Sequence, residues 1–347
     1  MSTPKAIILG WINEGNTPQC GETVKNQHII AQLRNCGYKV ITLDFYQWKR
    51  HPWVILKFFL SLLLYPKTPL ILSTAPKNVY FIMKWHKWLH SKRRIIQWVI
   101  GGNIHRLIRE GALDPKYISA LHCNIVETLE MVDWMNQDNV TNVIHTPNFK
   151  PIPYKPTLVP NYNETKKFLF ISRIKPEKGV DYIIEAIKML NSQGYGDKFS
   201  VDFYGRIDED YKEIFTYGIS LLPNAEYKGF LNIASKNGYD TLASYTAMLF
   251  PTFWISEGFA GIFIDSFIAG LPIIATDWAH NFTILEENET GIKIQHHDAK
   301  AIAEAMSDII TGKIDIETMR HNCQREADKY DSTKIITNEY LKKVGIY

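Results

Sequence analysis

Short apolar runs alternate with amphipathic stretches along most of the chain, and turn residues punctuate the two. Residues 5–11 (KAIILGW) predict a buried strand. A polar loop, NEGNTPQCGE, follows with Gly15 and Gly21, and then VKNQHIIAQLRNC carries Ile29, Ile30 and Leu33 at helical spacing and stops at Gly37. YKVITLDF predicts the next strand. The same alternation continues through WVILKFFLSLLLY, PLILST, NVYFIMKWHKWLH and RIIQWVI, and ends with NIVETLE, a helical EMVDWMNQ and NVIHTPNF. Strand–helix alternation of this kind implies a parallel sheet covered on both faces.

Residues 149–166 hold Pro151, Pro153, Pro156 and Pro160, which resist both helix and central strand, so a domain linker is expected there. The alternation then restarts with KFLFISRI, VDYIIEAIKMLNSQG, KFSVDFYG, DYKEIFTYGI, AEYKGF, GYDTLASY, AMLFPTF, a further helix and PIIATD. Three helical patterns close the chain: KAIAEAMSDIITG, IETMRHNCQREADKY and TKIITNEYLKKVG. The fold class expected is α/β, with two Rossmann-like doubly wound domains at 1–155 and 156–327. Such sheets bind ligands outside the carboxyl ends of their strands, and a cleft between the two is expected to be the binding site.

Two stretches carry candidate chemistry. In Ser256–Asp277, SEGFAGIFIDSFIAGLPIIATD, Glu257 precedes a predicted helix and Asp265 lies eight residues on, about 12 Å along a helix axis. Gly258, Phe259, Ala260 and Gly261 lie between, small enough at three of four positions to leave helix-terminal N–H groups open to an anion. The alternative for this stretch alone is a buried βα unit with a capping acid and a satisfied core carboxylate. In FLFISRIKPEKGVDYIIEA, a predicted strand ends at Ser172 and Arg173, and a short loop carries Lys175, Lys178 and Gly179. Two cations beside a helix terminus suit a diphosphate without a metal, although a solvated loop has the same composition.

Composition narrows the picture. The chain of 347 residues is 46% hydrophobic and 22% charged, as globular proteins are, with a net charge of +3. Cys20, Cys36, Cys123 and Cys323 have no clasping spacing and read as reduced thiols. The first residues do not resemble a secretory signal, and no apolar run reaches the ~20 residues that span a bilayer. Charge is uneven. From Phe45 to Arg109 there is no Asp or Glu, but there are twelve Lys or Arg, with Trp48, Trp53, Phe58, Phe59, Phe81, Trp85 and Trp88 interleaved. That combination suits an anionic membrane surface, with Lys84, Lys87, Arg93 and Arg94 among the cations expected to meet it. Helices of a doubly wound sheet are apolar on one face in any case. No nucleic-acid module is recognisable, and nucleic acid is not an expected partner.

Taken together, Arg173, Lys178 and Gly179, and about 80 residues later Glu257 and Asp265, resemble the retaining family 4 glycosyltransferases of GT-B fold (glycosyl transferases group 1). FPTFWISEGF and AGLPIIATD are similar to that family's strand and acid segments. The final YDSTKIITNEYLKKVGIY looks like its returning helix, which would join 328–347 to the first domain. The resemblance implies roles for particular residues. Arg173 and Lys178 would hold the donor diphosphate, Glu257 the donor sugar hydroxyls, and Asp265 the ribose. Gly258, Phe259, Ala260 and Gly261 would lie near sugar and phosphate, Gly229 and Phe230 near the base, and Gly205 and Gly21 around the same donor. Gly101, Gly102, Asn103 and His105 would be on the acceptor side, although a surface or capping role suits His105 as well.

The sequence departs from that family in three places. Ser172 stands where Gly is usual, Asp265 where Glu is usual, and NEGNTPQCGE where a glycine pair is common. The resemblance implies a metal-independent transfer from a UDP- or GDP-linked sugar, with no cofactor, by same-face attack and no assigned enzyme base. The expected acceptor is a lipid-linked saccharide of capsule, O-antigen or exopolysaccharide assembly, and the expected location is cytoplasmic and peripheral at the inner face of the membrane. The rivals are a sugar-nucleotide epimerase on the same fold and a non-catalytic partner subunit. Asp208-Glu209-Asp210 reads as a solvated helix start rather than a metal triplet, and no GxGxxG follows the first strand.

Overall fold

The computed structural model describes residues 3–16, 20–46, 48–160 and 165–347. Contacts divide the chain into two compact units, Met1–Pro151 with Tyr330–Tyr347, and Ile152–Lys329.

The first unit is a six-stranded parallel sheet made of β1 (Lys5–Gly10), β2 (Lys39–Asp44), β3 (Leu70–Thr74), β4 (Ile95–Val99), β5 (Cys123–Val126) and β6 (Val143–His145). Its order is β2-β1-β3-β4-β5-β6. The central strands are rich in Ile, Leu and Val and are buried on both faces, as parallel strands under helices must be. Gly10 lets β1 approach β3, because a Cβ there would stand 2.2 Å from the Ser73 carbonyl oxygen. One face is covered by the helix Gly21–Asn35 and the chain's last helices, in a cluster that includes Ile29, Leu33, Trp98, Phe149, Leu341 and Ile346. The other face holds Phe58 of the helix Trp53–Leu64 and Val79, Ile82 and Met83 of the helix Pro76–Trp88.

Several elements differ from expectation. The last predicted helix is two short pieces, Ser332–Ile335 and Asn338–Lys343, because Thr337 caps the second by accepting from the Tyr340 amide. The first helix begins at Gly21, inside the expected loop, and residues 17–19 of that loop lie outside the described residues. Of the four cations expected to meet lipid, Arg93 and Arg94 serve the fold instead, and Lys87 donates to the Lys116 carbonyl at 3.0 Å while staying exposed. Arg93 donates to the carbonyls of Thr68 and Leu62, at 2.6 and 2.7 Å, and Arg94 lies 3.8 Å from the Tyr347 ring centre and donates to its carbonyl.

The second unit is a parallel sheet made of β7 (Lys166–Ile171), β8 (Phe199–Tyr204), β9 (Ala225–Gly229), β10 (Ala247–Phe250), β11 (Ile273–Thr276) and β12 (Gly291–Ile294). Its order is β12-β11-β10-β7-β8-β9. The strand β12 was not expected; at four residues after a turn it is too short to give a pattern of its own. The chain runs outward from β7 through β8 to β9, then returns to β10 on the other side of β7. The carboxyl ends of β7 and β10 therefore form the topological switch point, where ligands of open α/β sheets bind.

Candidate functional site

The loops after β7 and β10 are joined by several contacts at this switch point. After β7, Pro176–Lys178 makes a tight turn and Gly179 leads into the helix Val180–Ser192. Gly179 has φ 77°, and a Cβ on it would stand 2.2 Å from the Pro251 carbonyl oxygen, so only glycine lets the two loops approach this closely. The Phe253 amide donates to the Glu177 carbonyl at 3.0 Å, and the Thr252 hydroxyl contacts that carbonyl at 3.3 Å and Glu257 Oε2 at 3.2 Å. Lys178 Nζ pairs with Glu257 Oε2, and both side chains are only 12% exposed. At that depth the pair is little screened, and removing one partner leaves a charge in poor solvent. Lys175, Thr252 and Trp254 extend the set beyond what the motif suggested: the Lys175 ammonium lies 3.3 Å from the Trp254 ring centre, and the Trp254 carbonyl accepts from Trp278 Nε1 at 2.9 Å.

The helix after β10 spans Gly261–Ala269, so it starts four residues beyond Glu257 rather than next to it. Ala260 is its N-cap and no side chain caps it. Its other end is set by Gly270 at φ 65°, whose carbonyl accepts from the buried Arg320 guanidinium at 3.4 Å. Gly258 and Gly261 are half-buried, and Phe259 and Ala260 are buried. Asp265 is 4% exposed, and its Oδ1 accepts from the Tyr239 hydroxyl at 3.2 Å. Burial, and next the Asp265 charge, raise the Tyr239 pKa, so this hydroxyl stays a donor.

The remaining second-unit candidates follow the same sheet edge. Arg173 is 55% exposed, with Nε 3.8 Å from Asp208 Oδ1. Gly205, directly after β8, has φ 132°, and a Cβ there would meet the Ser172 carbonyl oxygen at 1.8 Å. Its amide donates to the Gly229 carbonyl at 2.8 Å, so these two glycines touch. Phe230 follows with its ring 72% exposed. Asp208 is the N-cap of the turn Glu209–Tyr211 that leads into the helix Lys212–Ser220. Among the described residues, no three His, Cys, Asp or Glu side chains are grouped to hold a metal ion.

In the first unit, Gly21 is the first residue of its helix and an added Cβ would meet nothing within 4 Å. Gly101 (φ 88°) and Gly102 follow β4, Asn103 is the N-cap of the helix Ile104–Arg109, and the His105 ring centre lies 4.1 Å from that of Trp134. A feature the sequence did not suggest lies after β1 and β2: an open, shallow hollow of about 340 Å³ lined by Trp11, Phe45, Trp48, Lys49 and Arg50. Rings and cations in one hollow suit a saccharide that carries a negative charge.

Comparison with known proteins follows the same geography. Residues 165–312 match the family described as Glycosyl transferases group 1. The chain is 28% identical over 177 residues to the capsular polysaccharide biosynthesis glycosyltransferase CapM of Staphylococcus aureus, a match covering 49% of this chain and 43% of CapM. The chain thus spans about two fifths of the length of that relative. Among solved structures, HepE of Anabaena in complex with UDP-glucose superposes with a TM-score of 0.71 at 13% identity, over 98% of this chain and 99% of that one. The sucrose-phosphate synthase of Thermosynechococcus elongatus gives a TM-score of 0.74 at 11% identity, over 98% and 96%. At such identities the likeness is one of fold, and the fold is that of the GT-B glycosyltransferases.

Proposed function

We propose that the chain, whose residues 165–312 match the glycosyl transferases group 1 family, transfers a sugar from a nucleotide diphosphate to a saccharide acceptor. The transfer keeps the anomeric configuration and needs no metal. The observation that carries this reading is the Lys178–Glu257 pair at the β7/β10 switch point. Before the donor arrives, the pair keeps both charges satisfied. An arriving diphosphate offers Lys178 a stronger anionic partner, and Glu257 is then free to accept from the sugar hydroxyls. Arg173, exposed on the same loop, adds a second cation for the departing diphosphate. Asp265 supplies a carboxylate for the ribose, with Tyr239 fixing one of its oxygens. The protein's part is to position the donor and to stabilise the charge that develops on the leaving group.

The likeness to CapM supports an acceptor that belongs to surface-polysaccharide assembly; the basic and aromatic stretch from Phe45 to Arg109 leads us to propose a lipid-linked saccharide at the inner face of the membrane. The hollow lined by Trp11, Trp48 and Lys49 is a candidate seat for it. UDP-linked sugars are the first donors to test, GDP-linked sugars the second. In a thermal-shift screen, one of these nucleotide sugars should raise the melting temperature, since it binds the folded chain alone. Product analysis with an acceptor present should then show the sugar transferred with retained configuration. Donor isomerisation without an acceptor would replace this reading with an epimerase, and a chain that binds no nucleotide sugar would end it.

A further inference from the structure

The helices Trp53–Leu64 and Pro76–Trp88 cover one face of the first sheet and share one buried cluster through Phe58, Val79, Ile82 and Met83. Their other sides are unusually apolar for a surface. On the first helix Trp53 is 77% and Leu63 76% exposed, with Leu56, Phe59, Leu60 and Leu64 also out. On the second, Trp88 is 76% exposed, Phe81 and Trp85 stack edge-to-face with ring centres 5.5 Å apart, and Leu89 follows. A soluble surface rarely gathers so many large apolar side chains unless something covers them.

The charges around these helices say what covers them. The 65 residues from Phe45 to Arg109 contain no carboxylate side chain. Lys67, Lys77, Lys84, Lys87 and Lys92 are exposed there, although Lys87 also donates to the Lys116 carbonyl and Lys84 lies 4.5 Å from the Tyr80 ring centre. Arg106 and Arg109 are drawn instead to Glu110 and Asp138, outside that stretch. A second copy of the chain would bring the same excess of positive charge against itself. A partner that is both apolar and anionic is complementary. Neither helix is long and apolar enough to cross a bilayer, and none among the described residues is. We infer that the two helices form a docking face that lies in the headgroup region of an anionic bilayer, their Trp, Phe and Leu side chains dipping into the acyl boundary and their lysines meeting lipid phosphates. This deepens the proposed function, resting on its lipid-linked acceptor, and it assigns the bilayer to the first unit.

The experiment is co-sedimentation of the purified chain with vesicles of phosphatidylcholine alone or mixed with phosphatidylglycerol. The wild-type chain should bind the mixed vesicles, lose that binding in high salt, and bind the neutral ones weakly. Charge reversal at Lys67, Lys77, Lys84 and Lys92 should lower the association constant about a hundredfold or more. Trp53→Ser with Leu63→Ser and Trp88→Ser should lower it about tenfold or more, and since all three side chains are exposed the fold should survive. Equal binding to neutral vesicles, or none to the mixed ones, overturns the inference. So does a concentration-dependent dimer that the Ser variants abolish, because a second copy is then the occupant. Donor consumption measured alongside keeps the two readings separate. Variants that leave the vesicles yet still consume donor support the docking face, whereas a chain that binds vesicles but no nucleotide sugar defeats only the transfer reading.

Discussion

The Tyr239 hydroxyl donates to Asp265 Oδ1 at 3.2 Å inside the second unit, where Asp265 is all but closed off from solvent. An aspartate one methylene shorter than the usual glutamate is thus held by a tyrosine from a different helix, Lys236–Ala243. Asp265→Asn should weaken nucleotide-sugar binding by about tenfold or more, the order of one hydrogen bond to a charged group. Tyr239→Phe should raise the donor KM several-fold and leave kcat nearly unchanged. Initial-rate kinetics check both, and an unaltered KM in both variants removes Asp265 from the donor site.

The two loop cations should separate catalysis from stability. Arg173→Ala and Lys178→Ala should each reduce turnover about a hundredfold or more, the order of losing one group that stabilises leaving-group charge. Arg173 is more than half exposed, so its loss should leave the melting temperature where it is. Lys178 covers a nearly buried Glu257, so Lys178→Ala should also lower the melting temperature, and Glu257→Gln in the same chain should recover part of it. Wild-type rates in either single variant would refute the assigned role.

Three glycines of this sheet edge should respond differently to the same change. Gly229 has φ 78° with open space where a Cβ would go, so Gly229→Ala should cost only the left-handed conformation, about 1 kcal/mol. Gly179→Ala and Gly205→Ala add a clash with a backbone oxygen, at Pro251 and Ser172 respectively, and should cost clearly more. Urea midpoints at constant slope measure the difference, and equal losses at all three positions would contradict the close approach of Gly179 to Pro251 and of Gly205 to Ser172.

His28 predicts a pH dependence of the first unit. Burial, with the nearby positive charges of Lys150 and Lys25, lowers its pKa from 6.5 to about 4 in the folded chain. Between those values the unfolded chain binds the extra proton, so stability rises with pH across that window. On acidification it is lost progressively from about pH 6.5 and the loss is complete below about pH 4. The full effect is on the order of 3 kcal/mol. In urea titrations, His28→Gln should flatten the fall in stability between pH 6.5 and pH 4 relative to the wild-type chain, and an unchanged slope would mean that His28 is already protonated in the fold.

What the amino-acid order determined by itself is local. Short apolar runs rich in Ile, Leu and Val mark the central strands β1, β3 and β4, because a parallel strand covered on both faces must be largely apolar. The basic and aromatic stretch was equally legible, since charge and apolarity are properties of residues and not of their arrangement. Elements too short to show a period were not legible: β12, the helix Ile104–Arg109, and the break near Thr337 that a single capping hydroxyl creates. Tertiary structure decided what long-range adjacency decides. Only the return of the chain to β10, beside β7, brings Lys178 onto Glu257 across 79 positions of sequence. Only packing spends Arg93 on the carbonyls of Leu62 and Thr68 while leaving Lys67 and Lys92 in solvent. A side chain's type sets what it is able to bind. Which partner it meets depends on strand order, and strand order is settled by the burial of the whole sheet.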